Sequence, residues 1–232
     1  MSRRFSNRAS VSHNTEDCFS ICLSDLMAGL LSIFILALTF YILNFDQAVS
    51  EITSNDARRA TLLTEIKDEM LKNNIIVDID TKQGVLLLPD KLLFANAEAT
   101  LSKDAHDRII PILTKTFRDV LRQKEYAGKI ETVFIEGHTD SKPIKTYRFR
   151  SNWELSTQRA INTWRRMQEI YPEIDKELLN AKNEPLFSCS GYADTRPQVR
   201  GNTEEANRQN RRISFRITMT PPSEEGTRRI GE

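Results

Sequence analysis

Apolar and polar positions divide this chain into stretches with different spacings. Residues 26–43 read LMAGLLSIFILALTFYIL, an apolar run with no charge and no proline. That is the shortest length that crosses a hydrocarbon core about 30 Å thick. Extended back to Phe19, the run is long enough to span with tilt, and it then includes Asp25. A cleaved signal peptide is the competing reading. Against it, the run is too long for a signal h-region and no small-x-small cleavage site follows. The pattern therefore predicts a retained membrane helix over 19–44. Residues 45–73 are polar and lack glycine and proline, with Leu63, Ile66 and Met70 at helical spacing. This reads as a helical linker or stalk whose short apolar seam could pair two copies, although it is too brief for a coiled coil.

The remainder mixes the two periods. IIVDID (75–80), a TKQG turn and VLLL (85–88) predict a hairpin. Ser102 is placed to cap a helix bearing Ile109, Ile110, Leu113, Phe117, Val120 and Leu121, with Pro111 expected to bend it. KIETVFIEG (129–137) alternates as a strand, and a helix is predicted over 153–170. Further strands are predicted at 187–192 and 212–218. Strands alternating with helices over some 150 residues can bury an ordinary core. The expected organisation is an N-terminal segment 1–18, a membrane helix 19–44, a helical linker 45–73, an α/β domain 74–220 and a disordered tail 221–232. The fold class is thus one transmembrane helix and a helical linker, followed by a mixed sheet with helices packed on it.

Composition adds exclusions. The 232 residues carry 33 Lys and Arg against 32 Asp and Glu, a formal charge of +1. That balance argues against direct nucleic-acid binding, since nucleic-acid binders are far more basic. Arg3, Arg4 and Arg8 precede the span, and no basic residue follows it until Arg58 and Arg59. The positive-inside rule then places the N-terminus in the cytoplasm and the α/β domain outside. Cys18 and Cys22 read as small apolar fillers rather than a two-ligand metal site, and Cys189 is alone in the exported part, so no disulfide can form there. His138 has no second His or Cys at ligand spacing and reads as structural. No nucleophile elbow or P-loop is present, so the chain is not expected to be an enzyme or to hold a metal or cofactor.

Asp25 needs an explanation. If the helix starts near Phe19, Asp25 lies about 9 Å inside it at 1.5 Å per residue. A carboxylate near a helix centre costs about 2.5–3.5 kcal/mol, less near an end. The competing reading starts the helix at Leu26, with Asp25 at its N-terminus, favoured by the helix dipole. Ser32 and Thr39 follow Asp25 at i+7 and i+14 with Gly29 between, which makes one polar, small-residue face. Such a face meets protein helices rather than lipid. An acid on it is by default a proton or cation carrier. Ser32 and Thr39 are equally expected as ion-path support or as plain helix–helix contacts.

Four blocks then occur in one order: GHTD (137–140), SNWELSTQRA (151–160), GYADTRP (191–197) and RQNRRISFRI (208–217). Together they resemble the OmpA-like peptidoglycan-binding domain. The SNWELS form, with Lys142-Pro143-Ile144 after the aspartate, is similar to the MotB branch. Ser24-Asp25-Leu26-Met27 at the head of a single span is similar to MotB-type stator subunits. The span SDLMAGLLSIFIL and the short leader, which lacks a lysine-rich run, look closer to the ZorB subunits of Zorya anti-phage systems.

The resemblance implies a ligand, the diaminopimelate residue of the wall stem peptide. By motif position, Asp140 would pair its ammonium and Arg159 would hold a carboxylate, with Asn152 and Arg211 in support. A zwitterion needs an anion and a cation in one cleft, and arginine offers carboxylates a two-pronged match; the competing reading for each residue is a surface salt bridge. The resemblance further implies a homodimer inside a pentamer of MotA- or ZorA-type subunits in a bacterial inner membrane. Asp25 would pass protons or sodium ions, and the domain would sit in the periplasm. A flagellar stator and a passive wall tether without ion transport remain the alternatives.

Overall fold

The computed structural model describes residues 10–95, 97–201 and 203–221. The expected N-terminal segment lies partly outside these residues, and the expected tail almost wholly.

Helix α1 runs Ser10–Lys72. Its stretch Phe19–Asp46 is the one described helix long and apolar enough to cross a membrane, with mean hydropathy 2.5. Its large side chains, Leu30, Phe34 and Tyr41 among them, are exposed. The helix stops where Asn74 adopts the left-handed region (φ 57°). The Asn74 amide then bonds the Leu71 carbonyl and that of Ile75 the Met70 carbonyl, which satisfies the last turn.

Ile52–Pro222 forms a compact unit of its own. Strands β1 (Asp78–Asp80) and β2 (Val85–Pro89) make the expected hairpin, closed by Gly84 at φ 72°. Next come α2 (Ile110–Leu121), β3 (Ile130–His138), α3 (Asn152–Ile170) and the short α4 (Ile174–Glu177). Then follow β4 (Phe187–Gly191), α5 (Glu204–Asn210) and β5 (Arg212–Met219). The sheet order is β1-β2-β5-β3-β4; only β3 and β4 run parallel. This is the mixed sheet with packed helices that the sequence predicts.

Alternation along the strands decides which face is covered. Ile213, Phe215 and Ile217 of β5 join Val133, Ile135, Leu86 and Leu88 in the core, with Leu113 and Phe117 of α2 and Ala160 and Met167 of α3. One expectation is corrected here. Leu63, Ile66 and Met70 do not form a free seam for a second copy: all are fully buried in this same core, with Leu62. The compact unit therefore begins at Ile52, inside the expected linker, because a polar helix with one apolar stripe gains most by laying that stripe on its own sheet. Ser102 does accept from the Ala105 amide (3.2 Å), and the chain is helical from Lys103 through Leu121, with a π stretch at Ala105–Ile109 directly before Pro111. The irregularity expected at Pro111 thus takes the form of a π-bulge beside the missing N–H.

Two glycines bring α3 unusually close to the sheet. A Cβ on Gly137 would overlap the Ser156 carbonyl, and one on Gly191 the Thr157 hydroxyl. Position 137 opens GHTD and 191 opens GYAD, so both motif glycines serve close approach.

The other sheet face is polar. Its Glu136 takes two hydrogen bonds from Arg216, at 2.8 and 3.1 Å. His138 is 1% exposed and stacks on Tyr192 with centroids 5.5 Å apart. Among the described residues neither of its ring nitrogens has a hydrogen-bond partner; Glu136 Oε2, at 3.6 Å, is too far. Burial pushes His138 below its ordinary value of 6.5. Between that value and the lower folded one the unfolded chain binds more protons, so stability rises with pH across the interval. Urea unfolding between pH 7.5 and 5.5 is expected to show stability falling as pH drops below about 6.5, with the slope reduced in His138→Phe. An unchanged slope in that variant would mean that His138 is not buried neutral.

Candidate functional site

The strand register gathers the charged residues. Pro89 of β2 and His138 of β3 both lie opposite Arg212 of β5. The next residues outward, Asp90, Thr139-Asp140 and Arg211, therefore emerge at one end of three neighbouring strands. The Asp90 amide donating to the Arg211 carbonyl (3.1 Å) ties that end together. Helix α3 faces the same end with Asn152, Leu155 and Arg159, spaced i, i+3 and i+7 on one side. Ser151 caps α3 by accepting from the Glu154 amide, while the Glu154 carboxylate accepts from the Arg150 amide (2.6 Å).

A cavity of about 390 Å³ results, lined by Asp140, Asn152, Arg159 and Arg211 together with Asp90, Phe94, Lys142 and Glu204. All four residues expected from the motifs thus meet in one place. Their engagements differ from the simplest expectation. Arg159 is 2% exposed: its Nη1 donates to Asp90 Oδ2 (3.0 Å), its Nε to the Glu98 carbonyl (2.9 Å), and its guanidinium lies 5.2 Å over the Phe94 ring. Asp140 pairs with Arg211, which also reaches Glu204 at 3.3 Å and Asp90 at 3.9 Å. Asn152 holds the loop after β3: it accepts from the Ile144 amide and donates to the Asp140 and Lys142 carbonyls. Its amide is a brace for Asp140.

Burial acts against charge on both members of the inner pair. It pushes Asp90 above the usual carboxylate range despite Arg159 and Arg211, and it pulls the Arg159 guanidinium down. For Arg211, bonds to Asp140 and Glu204 outweigh burial and raise it. The cavity therefore offers both signs of charge, which suits a group that carries an ammonium and a carboxylate.

Sequence reasoning missed Asp90, Phe94 and Glu204. The available signal for Asp90 was an acid directly after the strand VLLLP, at the same strand end as the motif residues. The residues expected in an ion path lie in α1, where Asp25 is exposed. Ser32 Oγ donates to the Ala28 carbonyl and Thr39 Oγ1 to the Ile35 carbonyl, both at 2.8 Å. Each hydroxyl oxygen still has acceptor capacity. Among the described residues no group of three or more His, Cys, Asp or Glu is placed to hold a metal.

A mixed sheet backed by helices, with a charge-balanced cavity at the β2-β5-β3 end, defines the class of domain. A sequence model of the OmpA family matches residues 93–211, just over half of the chain. The chain belongs to the OmpA family. It is 35% identical over 156 residues to the uncharacterized protein YtxE of Bacillus subtilis, which covers 66% of this chain and 56% of that protein. It is 29% identical over 157 residues to motility protein B of the same organism, covering 66% and 51%. The chain thus spans about half the length of the curated relatives it matches. A solved MotB-like protein from Desulfovibrio vulgaris shares the fold, with a TM-score of 0.55 at 22% identity over 72% of this chain and 98% of that one.

Removing the Asp90 carboxylate would leave Arg159 buried and short of its partner. Asp90→Ala is expected to lower stability by about 3–5 kcal/mol, and Asp90→Asn by less, because it keeps an acceptor. Denaturation followed by Trp153 and Trp164 fluorescence checks this; a loss below about 1 kcal/mol in Asp90→Ala would show the pair to be dispensable.

Proposed function

We propose that this chain is the wall-anchoring B subunit of an ion-driven stator in a bacterial inner membrane. The carrying observation is the single cavity in which Asp140, Arg159 and Arg211 of three separate motifs converge around Asp90. Family membership, relatives named motility protein B and the apolar stretch Phe19–Asp46 support the reading. The N-terminus would lie in the cytoplasm and the OmpA-family domain in the periplasm, by the basic residues before the span.

In this reading the cavity takes the diaminopimelate side chain of a peptidoglycan stem peptide. Its carboxylate displaces Asp140 from Arg211 and shares the guanidinium cluster, and its ammonium moves onto Asp140, with Asp90 behind. The exchange swaps internal ion pairs for external ones, so little charge is left unpaired at any stage. Two copies would stand inside a ring of five MotA- or ZorA-type subunits. Asp25 would take up and release a proton or a sodium ion, with Ser32 and Thr39 facing the same path. One elementary charge crossing 100 mV yields about 2.3 kcal/mol, enough for a small conformational step.

Two machines share this plan. The span SDLMAGLLSIFIL favours a ZorB-type subunit of a Zorya anti-phage system. The motility proteins among the relatives favour a flagellar stator. A passive tether would keep the wall site and lack the ion path.

One pair of variants tests both halves. Full-length protein in detergent is expected to co-sediment with peptidoglycan sacculi, and Asp140→Ala to lose most of that binding. In cells Asp25→Asn is expected to abolish function with expression and assembly intact. Undiminished sedimentation of Asp140→Ala would remove the wall site; full function of Asp25→Asn would leave the tether.

A further inference from the structure

The sheet face opposite the helices carries a second groove, of about 570 Å³, that shares no lining residue with the cavity above. Alternation along β5 puts Arg212, Ser214 and Arg216 on this face, and Arg196 reaches it from the loop after β4. Three guanidiniums thus meet two carboxylates, Asp80 at the rim and Glu136 beneath.

The charges are not evenly matched. Arg216 is fully engaged, with two hydrogen bonds to Glu136 and one to the Gln83 carbonyl. Arg212 is 8% exposed and forms no ion pair among the described residues, although Glu136 attracts it from beyond contact distance; its Nη1 and Nη2 donate to the Asn210 and Arg196 carbonyls. Its Nε has no partner among the described residues. Ser214 Oγ is equally unpartnered in a residue 1% exposed. Arg196 lies 3.7 Å over the Tyr192 ring and also forms no ion pair among the described residues. Burial pulls Arg212 down to about 10, outweighing the attraction of Glu136.

A buried cation outside ion-pair distance of any described carboxylate, and two buried donors without a partner beside a groove, are costly unless something completes them. Arg212 and Ser214 stand two residues apart on one strand, about 7 Å between Cα atoms, so one small acceptor group can meet both. We propose that this groove binds an oxyanion, a carboxylate or phosphate ester. Arg212 Nε and Ser214 Oγ would be its donors, with Arg196 and Arg216 the flanking charges. The volume exceeds that of one such group, so a longer anionic chain fits as well as a free ion.

Thermal unfolding of the full-length protein in detergent tests this, in sodium phosphate, sodium acetate and sodium chloride at equal ionic strength. Phosphate or acetate is expected to raise Tm above the chloride value. A larger phosphate increment assigns phosphate esters, and a larger acetate increment carboxylates. Arg212→Gln is expected to lose the increment, whereas Arg211→Gln, in the other cavity, keeps it. Ser214→Ala removes a hydroxyl without a partner, so its Tm in chloride should match the native one. Its apparent affinity for the favoured anion should nevertheless fall about 5-fold, the worth of one hydrogen bond. Identical Tm values in the three salts, or an increment unchanged in Ser214→Ala and Arg212→Gln, would overturn the proposal and leave water as the occupant.

Discussion

A guanidinium held at 2% exposure must be neutralised where it stands, and much of this domain is arranged around that requirement at Arg159. The close contact of α3 with the sheet, permitted by Gly137 and Gly191, carries Arg159 down to the strand ends. The pairing of β2 with β5 carries Asp90 up to meet it. Asp90 in turn lies within reach of Arg211, and Arg211 holds Asp140. A ligand entering this cavity meets a chain of alternating charges that is already ordered. Ordering the site in advance lowers the entropy lost on binding. It also means that each new ion pair must displace an old one, which favours a ligand bearing both charges over one bearing either.

Much of this was legible in the sequence, for reasons that particular elements make clear. β3 and β5 could be read because alternation survives along them, one face apolar and one polar. α3 was expected over 153–170 and begins one residue earlier, at Asn152, behind its Ser151 cap. The short α4 and α5 escaped notice because neither has a stripe; α5 is held by the Thr203 cap and the buried Asn207. The seam of Leu63, Ile66 and Met70 was visible, but its partner was not. A single apolar stripe looks alike whether it meets a second copy or the chain's own sheet. Asp140, Asn152, Arg159 and Arg211 were legible as a set because each lies in a recognisable block. Asp90 lies in none, and its role follows from a strand register joining positions more than 120 residues apart. Local sequence carries no trace of that pairing.

The polar sheet face gives a second instance of the same physics. Glu136 and Arg216 satisfy each other, whereas Arg212, four residues away on the same strand, is buried with no ion pair among the described residues. At the β2-β5-β3 end, buried arginines were matched with carboxylates from within the chain; on the open face one was not. In the apolar stretch Phe19–Asp46, Asp25 is exposed, and under the proposed function its counterpart would come from other helices.

The central claim is that the cavity recognises a side chain ending in both an ammonium and a carboxylate. Isothermal titration of full-length protein with two stem peptides tests it most directly, one carrying diaminopimelate and one carrying lysine at the same position. Lysine keeps the ammonium and lacks the distal carboxylate. The diaminopimelate peptide should bind at least about 10-fold more tightly, the worth of one charged hydrogen-bonded contact. That advantage should vanish in Arg211→Gln. Equal affinities for the two peptides would contradict the account.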